Sequence, residues 1–476
     1  MPIARRLLDH AARTPERIAV RCGGSVRSYG ELAGDVTDAA AAWRAAGLPV
    51  RGRRLTPAGG RAGDVVAIGS ADPVEALTAV VAADLVGVVP LVCEPATHEE
   101  VVDALAPAAR VRGAATSIEP AGEHAWDAHG DAASAEAAWA GFTSGSSGRP
   151  RAVVRSAASW VDSYDAVSAL TGITPADTVL VPGSPATSLT AFAALHTLAV
   201  GATLQLAPDW SDSAVAACLP GVDVAHLVPH ALDAVVGRIA AGDQTRLRTA
   251  VVGGAALPDG LRERAAAAGV DVLAYYGAAE LSFVAVDTDG TGLRPFPGVR
   301  IDVRQRSGAD GDGTGELWVR SPWLAHGYLA GAPGPLRWDE NGWASVGDLA
   351  DPGPPLRLRG RADGAVLTGA ATVVPEDVEA VLSQVPGVRD VVVVGTRHER
   401  LGAVVTAVVE HRTRDDGPAA PRAALEAAAR RGLAPAQRPR RWVAVGSLPR
   451  TPSGKPARTA IGHALAAGTL DVRPWS

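Results

Sequence analysis

From the amino terminus to residue 290, short runs of Val, Ile and Leu alternate with Ala-rich stretches of helical length. Asp64 to Gly69 followed by Pro73 to Ala83 is one such pair, and Thr249 to Gly254 followed by Pro258 to Ala268 is another. This alternation implies a parallel α/β core, because each helix returns the chain to the edge where the previous strand began. Such a sheet places its ligands beyond the carboxyl ends of its strands. The pattern changes near Thr291. Arg300 to Arg306 and Glu316 to Arg320 alternate in polarity between Gly/Asp turns, which reads as an antiparallel β insert. The run Asp351-Pro-Gly-Pro-Pro355 then breaks regular structure, and the strand, helix and strand pattern after it reads as a small α+β domain with its boundary between residues 355 and 365. Gly113 to Glu136, rich in Ala, Gly, Ser and acidic residues, reads as a surface linker.

The 476 residues are enough for two to four domains at roughly 100 to 200 residues each. A net charge of −6 supplies no positive field for a phosphate backbone or an anionic bilayer, so nucleic acid and membrane are excluded as general partners. The longest apolar stretch, Leu77 to Cys93, is broken by Asp84 and ended by Pro90, too short to span a membrane. Met1 to Pro15 has Arg5, Arg6, Asp9 and His10 among apolar residues, the pattern of an amphipathic helix and not of a signal peptide. Cys22, Cys93 and Cys218 lie far apart without metal-ligand spacing, so a reducing cytoplasm is the expected location.

Lys455 is the single lysine among 45 basic residues. A compact ammonium on a flexible stem differs in reach and hydration from a planar guanidinium, so the surviving lysine marks a position that arginine does not fill, unless it is simply a leftover surface residue. The most specific local signal is Phe142-Thr-Ser-Gly-Ser-Ser-Gly-Arg-Pro-Arg-Ala-Val153. Its hydroxyls, bare backbone N–H groups and Arg151 suit a polyphosphate. A Ser/Gly linker is the competing reading, but linkers seldom end in Arg-Pro-Arg before a Val-Val strand. A Walker A loop is excluded, because no Gly-Lys-Ser/Thr follows at the required spacing.

This segment resembles the phosphate-binding signature of the adenylate-forming superfamily of acyl- and aryl-CoA synthetases, luciferases and peptide-synthetase adenylation domains. Further resemblances follow in order: Gly253-Gly254-Ala255-Ala256-Leu257-Pro258, Tyr275-Tyr276-Gly277-Ala278-Ala279-Glu280, Gly315-Glu316-Leu317, Gly327-Tyr328, Gly342-Trp343, Val346-Gly347-Asp348-Leu349, Gly360-Arg361-Ala362-Asp363 and Leu448-Pro449-Arg450-Thr451-Pro452-Ser453-Gly454-Lys455. The resemblance implies a large N-terminal domain, residues 1–360, of two parallel-sheet α/β subdomains plus a distorted antiparallel β-barrel. It also implies a small mobile α+β domain, residues 361–476.

The implied chemistry is ATP-dependent activation of a carboxylic acid to an adenylate, followed by thioester formation with coenzyme A. Alternatives are a free-standing ligase that loads a separate acyl carrier protein, and a nucleotide-binding homologue weakened in catalysis. Thr143, Ser144, Gly145, Ser146, Ser147, Gly148 and Arg151 would hold the ATP phosphates, and Glu280 would ligate Mg²⁺. Gly254, Ala255, Tyr276 and Gly277 would lie along adenine, with Asp348 and Arg361 at the ribose. Lys455 would bridge the carboxylate and the α-phosphate. Asp363 is the candidate hinge, and Gly369 and Ala370 would line the passage for the thiol.

Four positions depart from the family pattern: Arg151 and Ala279 replace a lysine and a hydroxyl residue, Val346 replaces threonine and Ala370 replaces glycine. Pro182 to Leu189 lacks the aspartate that would hold an α-ammonium, so α-amino acids are disfavoured. The small residues Ala186, Thr187, Ser188 and Ala278, with His230 and Ser282 as polar contacts, mark an open, largely apolar acid pocket. His196 and His226 are read as structural.

Overall fold

The computed structural model describes residues 3–48, 65–94, 102–103, 105, 107–120, 137–143, 151–208, 210–305, 314–329, 334–361, 364, 366–368, 371–398, 402–411, 419–433, 437–451 and 454–475. The chain divides into two compact units. The first comprises residues 1–143, 150–300 and 319–344, and the second residues 144–149, 301–318 and 345–476.

Two sheets organise the first unit. One orders its strands Arg294–Pro295, Ser282–Asp287, Asp271–Ala278, Thr249–Val252, Val224–Leu227, Thr178–Pro182, Thr203–Ala207, Ile18–Cys22 and Ser25–Ser28. Its six middle members are parallel, and antiparallel strands close both edges. The other runs Gly327–Tyr328, Arg151–Ser156, Ala137–Thr143, Val89–Val92, Val65–Ile68, Ala109–Val111 and Ile118–Pro120, parallel through its centre. Helices Pro73–Val86 and Ser188–Val200 touch strands of both sheets, and each buries ten residues. A helix apolar on every side is stable only when covered on every side, and the layer between two sheets supplies that cover.

Local chemistry sets the ends of these elements. Asp72 caps Val74 and Glu75 ahead of Pro73 at the first helical position, and Gly87 ends that helix in the left-handed region. Ser28 and Glu31 form a reciprocal capping box, and the backbone bond from Ser28 holds the Glu31 carboxyl below its ordinary value. The amino-terminal amphipathic helix is Ile3–Arg13.

Three local expectations shift. Pro90 lies inside the strand Val89–Val92, and the apolar stretch is divided by Gly87 instead. The helix expected from Pro258 starts at Leu261, because Gly260 takes a φ of +75°. Residues 113–120 are not all linker: Ala115 is buried, its N–H donates to Glu75 and its carbonyl accepts from Trp43, and Ile118–Pro120 is a strand. Among the described residues, no helix is long and apolar enough to cross a membrane.

In the second unit, strands Ala371–Val373, Val366–Thr368, Gly402–His411, Arg441–Val445 and Val472–Arg473 form a mixed sheet, with Val388–His398 also paired to Gly402–His411. Val391, Val393, Val405, Ala407 and Val409 face helices Pro375–Leu382 and Arg422–Gly432. Val392, Val394, Val408, Val443 and Val445 face helix Arg458–Ala467 on the other side. Both faces are covered, which is why Val391-Val-Val-Val394 is continuous and not alternating. The insert contributes antiparallel pairings in each unit: Val319 with Ala344 in the first, and Gly315 and Glu316 with Ala350 and Leu349 in the second.

Candidate functional site

The parallel pairings of adjacent strands in the nine-stranded sheet end in step, with Leu227 paired to Val252 and Val252 to Ala274, and the last strand continues to Ala278. Sequence candidates follow each end, with His230 after Leu227, Gly254 and Ala255 after Val252, and Tyr276 and Gly277 after Ala274. On the neighbouring strand, Thr178–Pro182 leads to Ala186, Thr187 and Ser188. The sheet therefore gathers these residues along one edge, where open α/β sheets bind ligands. Thr187 also bridges Phe142 in the seven-stranded sheet and caps helix Ser188–Val200. Ala255 and His230 are exposed there.

The segment Tyr276 to Ser282 is a tight reversal. Ala278 pairs with Ser282, and the Leu281 N–H donates to the Ala278 carbonyl at 3.0 Å. Ser282 has φ +62°, the one non-glycine residue in the left-handed region among the described residues. That backbone form costs a side-chain-bearing residue roughly 1–2 kcal/mol. Gly277 is required by close approach, since a Cβ there would stand 2.2 Å from the Ser282 carbonyl oxygen. Behind the reversal runs a continuous aromatic chain, Trp160 to Phe192, Phe192 to Phe283, Phe283 to Phe296 and Phe296 to Trp323, with ring separations between 5.1 and 5.4 Å. In a chain only 4% aromatic, this concentration gives the edge a rigid backing.

Glu280 lies at the turn and is buried, with 5% exposure. Tyr328 donates to its Oε1 at 2.9 Å and accepts from the Leu336 N–H at 3.3 Å. Burial, followed by the neighbouring Glu280 charge, raises the Tyr328 phenol well above its ordinary value, so it stays a donor. Arg155, on strand Arg151–Ser156, is the buried cation beside this carboxylate. Its guanidinium donates to the carbonyls of Ala279, Ser159 and Trp323 and stacks over the Trp160 ring at 5.2 Å. Burial lowers it to about 9, with the Glu280 charge pulling the other way. Three backbone segments thus meet on one guanidinium. Sequence reading missed Arg155, although a charged residue inside an otherwise apolar strand was the available signal. It also gave Tyr328 no separate role.

The phosphate-loop candidates Ser144, Gly145, Ser146, Ser147 and Gly148 lie outside the described residues. The strands on either side of them are paired in register, with Thr143 opposite Arg151. Asp363, Gly369 and Ala370 also lie outside. In the second unit Asp348 and Arg361 are register partners across two antiparallel strands. Lys455 sits in a short reversal where its carbonyl accepts from the Thr451 N–H at 2.7 Å and the Gly454 N–H donates to Thr451 at 2.8 Å. His196 and His226 are buried in the first unit, and burial lowers them to about 4 and about 3. His196 bonds Ser168 at 2.8 Å, a structural contact.

Family models for the AMP-binding enzyme and the AMP-binding enzyme C-terminal domain match residues 101–329 and 377–455. YhfT of Bacillus subtilis (strain 168), named an uncharacterized acyl-CoA ligase, is 32% identical over 336 residues, 67% of this chain and 67% of that protein. The chain belongs to the AMP-binding enzyme family. It is an adenylate-forming enzyme, and the sequence resemblance to that superfamily holds. A probable 2-succinylbenzoate–CoA ligase of Mycobacterium tuberculosis is 35% identical over 224 residues, 45% of this chain and 53% of that protein. The chain thus matches about half the length of that relative. ATP-bound MatB from Rhodopseudomonas palustris shares the fold at a TM-score of 0.78 and 20% identity, covering 98% of this chain and 99% of that one. The two-sheet α/β architecture and the C-terminal sheet domain are those of this AMP-binding enzyme fold.

Proposed function

We propose that this AMP-binding enzyme uses Mg²⁺ and ATP to activate a carboxylic acid lacking an α-amino group, and passes the acyl or aryl group to coenzyme A. A carboxylate oxygen attacks the α-phosphorus, the bond to the bridging oxygen breaks and pyrophosphate leaves. The thiol sulfur, having lost its proton, then attacks the acyl carbon and AMP departs. The observation that carries the reading is the buried Glu280, held by Tyr328 directly after the Tyr276-Gly277 turn. Mg²⁺ is typically held by one or two carboxylates together with substrate phosphates and waters, and one buried carboxylate fits that donor set. The metal would neutralise charge on the phosphates.

In this reading Thr143 to Gly148 and Arg151 bind the phosphates, Tyr276 stacks on adenine beside Gly254 and Ala255, and Asp348 and Arg361 bind the ribose. Lys455 stabilises the charge that develops between carboxylate and α-phosphate. Asp363 is the hinge between residues 1–360 and 361–476, and Gly369 and Ala370 line the thiol passage. The acid lies against Ala186, Thr187, Ser188, Ala278, Ser282 and His230. Similarity to proteins named as CoA ligases supports coenzyme A as acceptor. A cytoplasmic location agrees with these substrates.

The test is pyrophosphate release from ATP with octanoate, benzoate and 2-succinylbenzoate, each with and without coenzyme A. Carboxylate-dependent release and a CoA thioester are expected. Release without thioester moves the acceptor to a carrier protein, and ATP binding without release under any acid leaves a nucleotide-binding homologue.

A further inference from the structure

Asp390 and Glu410 are register partners on adjacent strands of the second unit. Two carboxylates facing each other across a ladder repel, and Glu410 is only 3% exposed, so water does little to screen it. Arg450 spans both. Its Nη1 lies 2.9 Å from Asp390 Oδ2 and its Nη2 lies 3.0 Å from Glu410 Oε2. Glu410 Oε2 also accepts from the Leu448 N–H at 2.8 Å, which ties the carboxylate to the segment entering the loop.

The same guanidinium reaches into the reversal that bears Lys455. Nη1 donates to the Gly454 carbonyl at 3.3 Å, beside a Gly454 backbone at φ +81°. Arg450 and Pro456 form a β-bridge, and the Ala457 N–H donates to the Pro449 carbonyl at 2.8 Å. Downstream, Arg458 binds Glu376, Glu379 and the Val393 carbonyl. The loop is thus fixed at both ends, and among the described residues the Arg450 side chain links the strand pair directly to the residue before Lys455.

We propose that Arg450 is a positioning residue for Lys455: clamped on the Asp390–Glu410 pair, it fixes the loop so that the ammonium is presented in one place. A planar two-pronged cation suits this junction because it satisfies two carboxylates and a carbonyl at once. The inference rests on the proposed role of Lys455, and the test separates the two.

As the sole lysine, Lys455 can be dimethylated with ¹³C-formaldehyde to give one NMR signal besides that of the amino terminus. In Arg450→Gln this signal should narrow and move toward that of the unfolded chain. An unchanged position and width overturns the proposal whatever the activity shows. Glu410 also pairs with Arg389, 3.4 Å from its Oε1, and Arg450→Gln/Glu410→Gln removes the buried carboxylate together with the cation that bridged it to Asp390, so its signal should show the same loosening without a folding defect. Thermal unfolding of each variant identifies misfolding.

For kinetics, adenylate formation is followed with whichever of octanoate, benzoate and 2-succinylbenzoate reacts fastest. Arg450→Gln should lower kcat roughly 10- to 100-fold, the scale of displacing a reacting group by about 1 Å, with KM for ATP and acid within about threefold. Arg450→Lys should recover part of the loss; it is used only in this arm, because it adds a second lysine. Added to Lys455→Ala, Arg450→Gln should cost nothing further, since a residue acting through Lys455 has no effect once Lys455 is gone. Additive losses overturn the positioning role and leave the role of Lys455 standing. A Lys455→Ala enzyme of normal rate refutes the role of Lys455, and the NMR signal then decides the clamp alone.

Discussion

The Tyr328 hydroxyl donates to Oε1 of Glu280 across 2.9 Å and joins the Gly-Tyr strand to the turn that follows the Tyr-Gly motif. The Tyr328 phenol oxygen in turn accepts from the Leu336 N–H, so the phenol is fixed from both sides. Replacing Tyr328 with phenylalanine keeps the ring and removes the donor. A hydrogen bond to a charged group contributes roughly 1.5–3 kcal/mol, so the Mg²⁺ concentration for half-maximal pyrophosphate release should rise about tenfold or more. A Mg²⁺ titration of the variant checks this, and an unchanged requirement would remove Glu280 from the metal site.

Arg155 should matter first for stability. Arg155→Leu leaves the carbonyls of Ala279, Ser159 and Trp323 without their donor and Glu280 without its neighbouring cation. Breaking a buried charged network by removing one partner typically costs about 3–5 kcal/mol. Urea unfolding should show a loss of that order, with Arg155→Lys in between. A loss below about 1 kcal/mol would mean that the carbonyls find water instead.

The reversal at Gly277 should respond with opposite signs to two substitutions. Gly277→Ala places a methyl 2.2 Å from the Ser282 carbonyl oxygen, a backbone atom that cannot step aside alone. It should destabilise the fold and slow adenylation together. Ser282→Gly relieves the left-handed strain and should stabilise by up to about 1 kcal/mol, unless the hydroxyl holds the acid, in which case KM for the acid rises. Thermal unfolding combined with steady-state kinetics separates these outcomes.

Acid should weaken the first unit through its histidines. Burial lowers His196 to about 4 and His226 to about 3, whereas an unfolded histidine protonates near 6.5. Between those values the unfolded state binds protons that the folded state refuses. Stability is therefore fully present above pH 6.5, falls as pH drops from 6.5 toward 4 for His196 and toward 3 for His226, and levels off below those values. Guanidinium unfolding at stepped pH should show this decline, and His226→Leu should flatten it; an identical slope would place the sensitivity elsewhere.

The order of motifs, the parallel α/β character and the C-terminal strand, helix and strand pattern were legible in the sequence, because they depend on period, turn chemistry and short-range spacing. Glu280 and Lys455 could be singled out for the same reason, and the single lysine drew attention to its own loop. Sequence alone did not give Glu280 its Tyr328 and Arg155 neighbours, 48 and 125 positions away, or Lys455 the Asp390–Glu410 clamp. Those partners are chosen by strand order and register, which bring distant residues opposite one another through hydrophobic burial and backbone pairing. The sequence by itself determined the chemical groups that the two units carry; tertiary structure decided which buried charges compensate which, because compensation depends on distance in space and not along the chain.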